Sequence, residues 1–295
     1  MGDLFEVRIA VYTDGPYSDL IFSERMSLDL HESTAVLRMA RLFKALKYAF
    51  KSLRDARSRL EAKPPPRNSI EHLFPSPLPE PTFAGEMPSL TFTHRMDRAG
   101  ETFFLPTRSD QRRSGLYLAK MRKSTAAGPS DAEVEVVVKF TAQYNAEAHR
   151  VLATAKVPLA PALHACIPVC DRGPMFMVVM DRVRGEMAWA SEQRGELLPR
   201  AVYEDVKAAL ALLHEHDIVF GDLRTPNIMH VTGGDRPRGM LVDFDWAGTD
   251  GETRYPATLN SQSEEWCEGV GRNTVMRKAH DLGMLAKFEK LCHGA

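Results

Sequence analysis

The sequence predicts an α+β fold, with strands gathered in its earlier part and helices in its later part. Three observations carry this. Residues 133–140 read Glu-Val-Glu-Val-Val-Val-Lys-Phe, a β-branched run suited to a pleated sheet. Between Leu197 and His216, the side chains Val202, Val206, Ala209, Leu210 and Leu213 recur at helical spacing, with Pro199 at an early helical position. Further on, Ile228 to Val231 and Gly239 to Val242 flank Thr232-Gly233-Gly234-Asp235, the pattern of a β-hairpin with a Gly-rich turn. A chain of 295 residues, 44% hydrophobic, can bury the core of one two-lobed domain plus an extension. Its formal net charge of −1 argues against broad nucleic-acid binding, which needs a sustained basic face. No apolar run reaches the roughly eighteen residues of a membrane span, so none is expected.

Taken in order, Phe5 to Tyr12 alternates as a strand does, Asp14-Gly15-Pro16 reads as a turn, and Leu20 to Leu30 holds another strand or two. From Thr34 to Ala62 the spacing predicts a long helix. Val36, Met39, Phe43, Leu46, Phe50, Leu53 and Leu60 share one stripe, a heptad with a lapse at Arg57. Its other face carries Arg38, Arg41, Lys44, Lys47, Lys51, Arg54 and Arg59. Such a helix packs on a neighbouring lobe with a solvated basic rim, or binds calmodulin, an acidic partner or a membrane surface. Residues 34–62 are therefore a candidate partner-binding segment. The expected organisation is an accessory unit over 1–62, a Pro-rich linker over 63–89 and a main domain over 90–295. Prolines in the linker favour extended, unpaired backbone.

Within the main domain, Glu101 to Pro106 and Gly115 to Met121 are candidate strands joined by Thr107 to Ser114, which contains Arg108, Arg112 and Arg113. In the next strand Lys139 stands out, because a buried strand rarely carries an unpaired Lys. It either guards a sheet edge or serves a site. Asn145 to Ala153 begins a helix bearing Glu147, and Met175 to Met187 is an apolar strand that turns polar. After the 197–216 helix comes Ile218-Val219-Phe220, followed by the chemistry-bearing segment. Asp222, Asn227 and Asp243 stand in the order that phosphoryl transfer from ATP requires. The first Asp can accept a proton from an attacking hydroxyl; the Asn and the second Asp can hold magnesium against a triphosphate. The hairpin between them returns the chain to its start, which brings Asn227 and Asp243 side by side.

The stretch Phe220-Gly221-Asp222-Leu223-Arg224-Thr225-Pro226-Asn227, with Asp243-Phe244-Asp245 downstream, resembles the catalytic loop and D-F-G motif of the protein-kinase-like superfamily. It is most similar to the divergent fungal-type members. The resemblance implies a bilobal fold, with a small β-rich N-lobe over about 90–180 and a shortened helical C-lobe over about 184–295. It implies ATP and Mg2+ as cofactors. By the same match, Lys139 contacts the α- and β-phosphates and pairs with Glu147. Met180 takes the gatekeeper position, and Asp181 to Val183 offer hinge backbone to adenine. Asn227 and Asp243 hold the metal, Asp222 is the catalytic base, and Arg224 neutralises the transferring phosphoryl. Asp281 braces the catalytic-loop backbone.

Three departures matter. Phe220-Gly221 replaces His-Arg, so control through a phosphorylated activation segment is not expected. Asp245 replaces the Gly of D-F-G, and the 107–114 connection lacks a Gly-rich loop. Three functions stay open on these residues: a kinase acting on Ser/Thr hydroxyls of a protein, a small-molecule kinase, and a pseudokinase acting as a binding module. Cys166, Cys170, Cys267 and Cys292 are too few and scattered for a disulfide framework, which points to a reducing, intracellular setting, cytoplasmic or nuclear. The N-terminus fits neither a signal peptide nor a myristoylation pattern, since Glu6 stands where Ser or Thr is needed.

Overall fold

The computed structural model describes residues 3–12, 16–26, 33–62, 74–96, 102–103, 115–125, 128–169, 175–260 and 266–293. The chain divides into two compact units, Met1–Phe74 with Pro106–Asp110, and Pro75–Leu105 with Gln111–Ala295. In the first, strand β1 (Asp3–Tyr12) pairs antiparallel with β2 (Pro16–Met26) in a register running from Asp3 opposite Met26 to Tyr12 opposite Pro16. Most of the Asp14-Gly15-Pro16 turn, and residues 27–30 of the expected second strand, lie outside the described residues. Helix α1 (Ser33–Ala62) follows. The Phe43 ring lies 5.4 Å from that of Phe5, yet Phe43, Phe50 and Leu53 remain exposed.

The second unit opens with residues 74–89. They carry no helix or strand, turn where the Phe83 amide donates to the Glu80 carbonyl at 2.9 Å, and pack on the sheet. Phe83 and Met87 rest on the sheet core, and the Glu80 amide donates to the Pro168 carbonyl at 2.9 Å. The sheet then forms from β3 (Leu90–Met96), β4 (Thr102–Phe103), β5 (Leu116–Thr125) and β6 (Gly128–Thr141). Helix α2 (Ala146–Ala153) follows, then β7 (Leu163–Pro168) and β8 (Phe176–Asp181) complete the sheet. Strand order is β4-β3-β5-β6-β8-β7, every neighbour antiparallel. The expected strand over 101–106 is described only as Thr102–Phe103, and the connection 107–114, with Arg108, Arg112 and Arg113, lies outside the described residues. Its place beside β5 belongs instead to Leu90–Met96. Ala119, Met121, Val136, Val138, Met177 and Val179 close the core of this lobe, each from alternate positions along its strand.

The later part is helical. After β9 (Gly185–Met187) come α3 (Ala188–Gln193) and α4 (Arg200–Glu215), then β10 (Ile218–Val219). A single 3-10 turn, Thr225–Asn227, leads into β11 (Ile228–Val231) and β12 (Arg238–Leu241), followed by β13 (Gly248–Thr249) and α5 (Lys278–Glu289). The expected hairpin is present, with Ile228 opposite Leu241. It lies so close on α4 that a Cβ at Gly239 would stand 2.7 Å from the Val202 carbonyl oxygen. Val202, Val206, Leu210 and Leu213 of α4 join Leu285 and Phe288 of α5 and Leu152 of α2 in one core. A β-rich N-terminal lobe followed by a helical C-terminal lobe is the bilobal, protein-kinase-like α+β architecture. Among the described residues no helix is long and apolar enough to cross a membrane.

Candidate active site

The backbone leading into Asp222 is fixed first. Asp281 of α5 is 1% exposed, and its carboxylate accepts from the Phe220 amide at 2.8 Å and the Gly221 amide at 3.0 Å. His214 of α4 approaches the same carboxylate at 3.0 Å. Gly221 takes φ +78°, and a Cβ there would meet the Met276 sulfur at 3.0 Å. The chain can thus turn sharply just before Asp222.

Asp222, Asn227 and Asp243 converge as the hairpin requires. The Asn227 side-chain amide donates to the Asp222 carbonyl at 2.9 Å, and the Val242 amide donates to the Asn227 carbonyl at 3.0 Å. With its Nδ2 committed, Asn227 keeps its side-chain oxygen for another ligand. Asp243 has φ +69°, the left-handed region that a short polar residue tolerates. Burial pushes the Asp222 carboxyl above its ordinary value, and the Arg224 guanidinium pulls it partly back. That guanidinium grips both oxygens, Nε to Oδ1 at 2.5 Å and Nη2 to Oδ2 at 2.9 Å.

Lys139 lies opposite, its side chain 13% exposed, with Nζ 2.7 Å from Asp243 and 2.7 Å from Asp245. Its expected partner Glu147 does not meet it. Helix α2 starts at Ala146, capped by the Asn145 side chain, and the second helical position turns Glu147 to solvent. The carboxylates of the D-F-D segment take its place. Asp245 also accepts from the Thr141 hydroxyl at 2.8 Å. Burial, then the neighbouring Asp243 charge, hold Asp245 well above the ordinary carboxylate range, with Lys139 opposing.

Met180 is buried at the end of β8, and the Asp181 amide donates to the Ala162 carbonyl at 2.9 Å. Asp181 also meets His164 at 2.6 Å through its side chain. The Asp181 amide, expected to face adenine, is therefore spent on the protein, whereas no described group pairs with the backbone of Val183. Among the described residues no group of three or more His, Cys, Asp or Glu side chains could hold a metal. Asn227 and Asp243 are hard oxygen donors that suit magnesium, which commonly completes its octahedron with phosphate oxygens and water.

The sequence reading missed the residues that hold the D-F-D segment. His149 of α2 is fully buried and stacks on Phe244, ring centres 4.6 Å apart and planes 12° from parallel. Phe220 meets the same Phe edge-on at 5.6 Å. His149 Nε2 reaches the Pro161 carbonyl at 2.8 Å, so that nitrogen carries the proton and Nδ1 accepts from the Tyr144 hydroxyl at 2.7 Å. Burial pushes the imidazole down to about 4. Asn145 completes the tie: its amide donates to the Phe244 carbonyl at 3.1 Å and its side chain to the Ala247 carbonyl at 3.1 Å.

The chain thus places an Asp-Asn-Asp set beside a strand lysine, in a fold with a β-rich lobe followed by a helical lobe. Among solved structures, the Cydia pomonella granulovirus kinase PK-1 is similar to this chain at 16% sequence identity. That match covers 68% of this chain and 67% of the viral one, with a TM-score of 0.46. No family model and no curated protein matches the sequence.

Proposed function

We propose that the chain is an ATP- and magnesium-dependent phosphotransferase of the protein-kinase-like type, acting on a Ser/Thr hydroxyl of a protein. One observation carries this reading. A buried, hydrogen-bonded carboxylate (Asp222), two oxygen donors (Asn227 and Asp243) and a mostly buried lysine (Lys139) are brought together. Bound Mg2+ would supply charge neutralisation of the triphosphate, with Asn227 and Asp243 as its protein ligands. Lys139 binds and orients the phosphates, its ammonium lying against Asp243 and Asp245. Asp222 takes the proton of the acceptor hydroxyl, and its burial makes it a stronger base than a free carboxylate. Arg224, released from Asp222, meets the negative charge that develops on the transferring group. Val183 offers an unpaired backbone donor and acceptor to an adenine edge, with Met180 behind it. Residues 1–62 are proposed as an accessory unit whose basic helix, 34–62, engages a separate partner.

The Arg224 fork favours one second reading. A base whose oxygens are both held by an internal cation suits a module that binds nucleotide without turnover. A phosphotransferase acting on a small molecule remains the other alternative, and only the acceptor distinguishes it. Thermal unfolding with millimolar Mg-ATP comes first: the enzyme reading expects stabilisation, as any ligand of the folded state gives. ATP turnover in the chain and in Asp222→Ala follows. Stabilisation without turnover above that of the variant favours the module, and no stabilisation at all removes the nucleotide reading.

A further inference from the structure

Beyond Asp245 the chain passes over the catalytic loop, and what fastens it there is aromatic. Arg224 lies with its guanidinium carbon 4.9 Å from the Trp266 ring centre and 5.8 Å from that of Trp246. The two indoles stack on each other at 5.8 Å, planes 24° apart, and Tyr255 backs Trp246 edge-on at 6.3 Å. Trp266 is itself held from two directions. Its Nε1–H donates to the Asn260 carbonyl at 3.0 Å, and Lys287 of α5 donates to its backbone carbonyl at 2.8 Å. The same Arg224 forks both oxygens of Asp222.

We propose that Trp246 and Trp266 form an aromatic clasp on Arg224, and that Trp266 is a positioning residue acting on Asp222 through that guanidinium. A planar cation lies well on an indole face and can slide along it without losing the attraction, which a point-to-point ion pair cannot do. The clasp therefore does two things. It orients Arg224 so that its fork meets Asp222 in a single geometry. It also offers the guanidinium a resting face when an acceptor hydroxyl needs the Asp222 oxygens. The tie from catalytic loop to following segment is thus built from unmodified side chains. Its role in transfer rests on the phosphotransferase reading; the contact itself does not.

Two variants separate the clasp from simple packing. Trp266→Phe and Trp266→Leu both lose the Nε1–H bond to Asn260, and only Phe keeps an aromatic face. ATP turnover in Trp266→Leu should fall about fivefold to tenfold in kcat with KM for ATP unchanged, the scale of one cation–π contact, while Trp266→Phe stays within about threefold of the parent chain. Equal losses in Phe and Leu would overturn the proposal, as would a loss confined to KM. A second measurement needs no turnover. Urea midpoints of Arg224→Met, Trp266→Leu and the double variant should be less than additive, the double variant losing less than the sum of the two single losses. Additive losses would show that Arg224 and Trp266 do not work together. If the parent chain turns over no ATP, the phosphotransferase reading falls, and this stability cycle still decides the clasp.

Discussion

Acidifying the protein from pH 7 to pH 4 should remove stability that His149 contributes only while neutral. Its imidazole is fully buried, with Nε2–H on the Pro161 carbonyl, Nδ1 accepting from Tyr144, and its face on Phe244. Burial lowers its pKa from 6.5 to about 4 in the folded chain. The unfolded chain therefore binds the extra proton first as pH falls. The contribution is complete above pH 6.5 and is lost progressively down through pH 4. With those two values, linkage gives a loss of about 2 kcal/mol by pH 5 and about 3 kcal/mol by pH 4. Urea unfolding at several pH values measures it directly, and His149→Gln supplies the control. Glutamine can donate to Pro161 and accept from Tyr144 but does not titrate, so stability in that variant should fall less steeply between pH 6.5 and pH 4. Parallel pH profiles in the two proteins would refute the reasoning.

Asp281→Ala should cost roughly 3 kcal/mol or more in urea unfolding, because it orphans the buried amides of Phe220 and Gly221 together. Asp281→Asn, which keeps one acceptor, should lose less. Gly239→Ala should destabilise by about 1–3 kcal/mol through its clash with the Val202 carbonyl. Gly233→Ala, at φ +96° with open space around it, should cost about 1 kcal/mol from backbone conformation alone. Thermal melts of the pair should rank them in that order. Lys139→Met should bind Mn2+ about tenfold more tightly without nucleotide, by EPR, since the ammonium no longer occupies Asp243 and Asp245. In the same variant, stabilisation by Mg-ATP should shrink.

The parts of the site legible in the sequence were those set by local geometry. A Gly-rich turn between two apolar runs was enough to bring Asn227 beside Asp243, because a hairpin has little choice of return path. Asp281 was placed by the resemblance of residues 278–285 to the kinase helix that braces such a loop, not by local geometry. Other features depend on partners far along the chain. Lys139 advertised that it needed a counter-charge, but the kinase resemblance pointed to Glu147, eight positions on, whereas the carboxylates that answer it lie more than 100 positions away. His149 looked like any helical polar residue; the Phe244 ring it stacks on comes from far along the chain. The Leu90–Met96 strand was obscured because a register shift between Phe92 and His94 breaks its two-residue alternation just after a run of prolines.

Lys139 to Asp243, Thr141 to Asp245 and Asn145 to Ala247 close loops of 104, 104 and 102 residues. Contacts of such sequence separation form slowly, since the chain entropy of closure must be met before any of them stabilises the product. On a ribosome the order is stricter still. The strand lysine emerges more than a hundred residues before its counter-charges and must wait, solvated, until the D-F-D segment has been made. The N-terminal sheet can therefore assemble during synthesis as a harmless, charge-unpaired lobe, and the site comes into being only when the chain has been extended past Ala247.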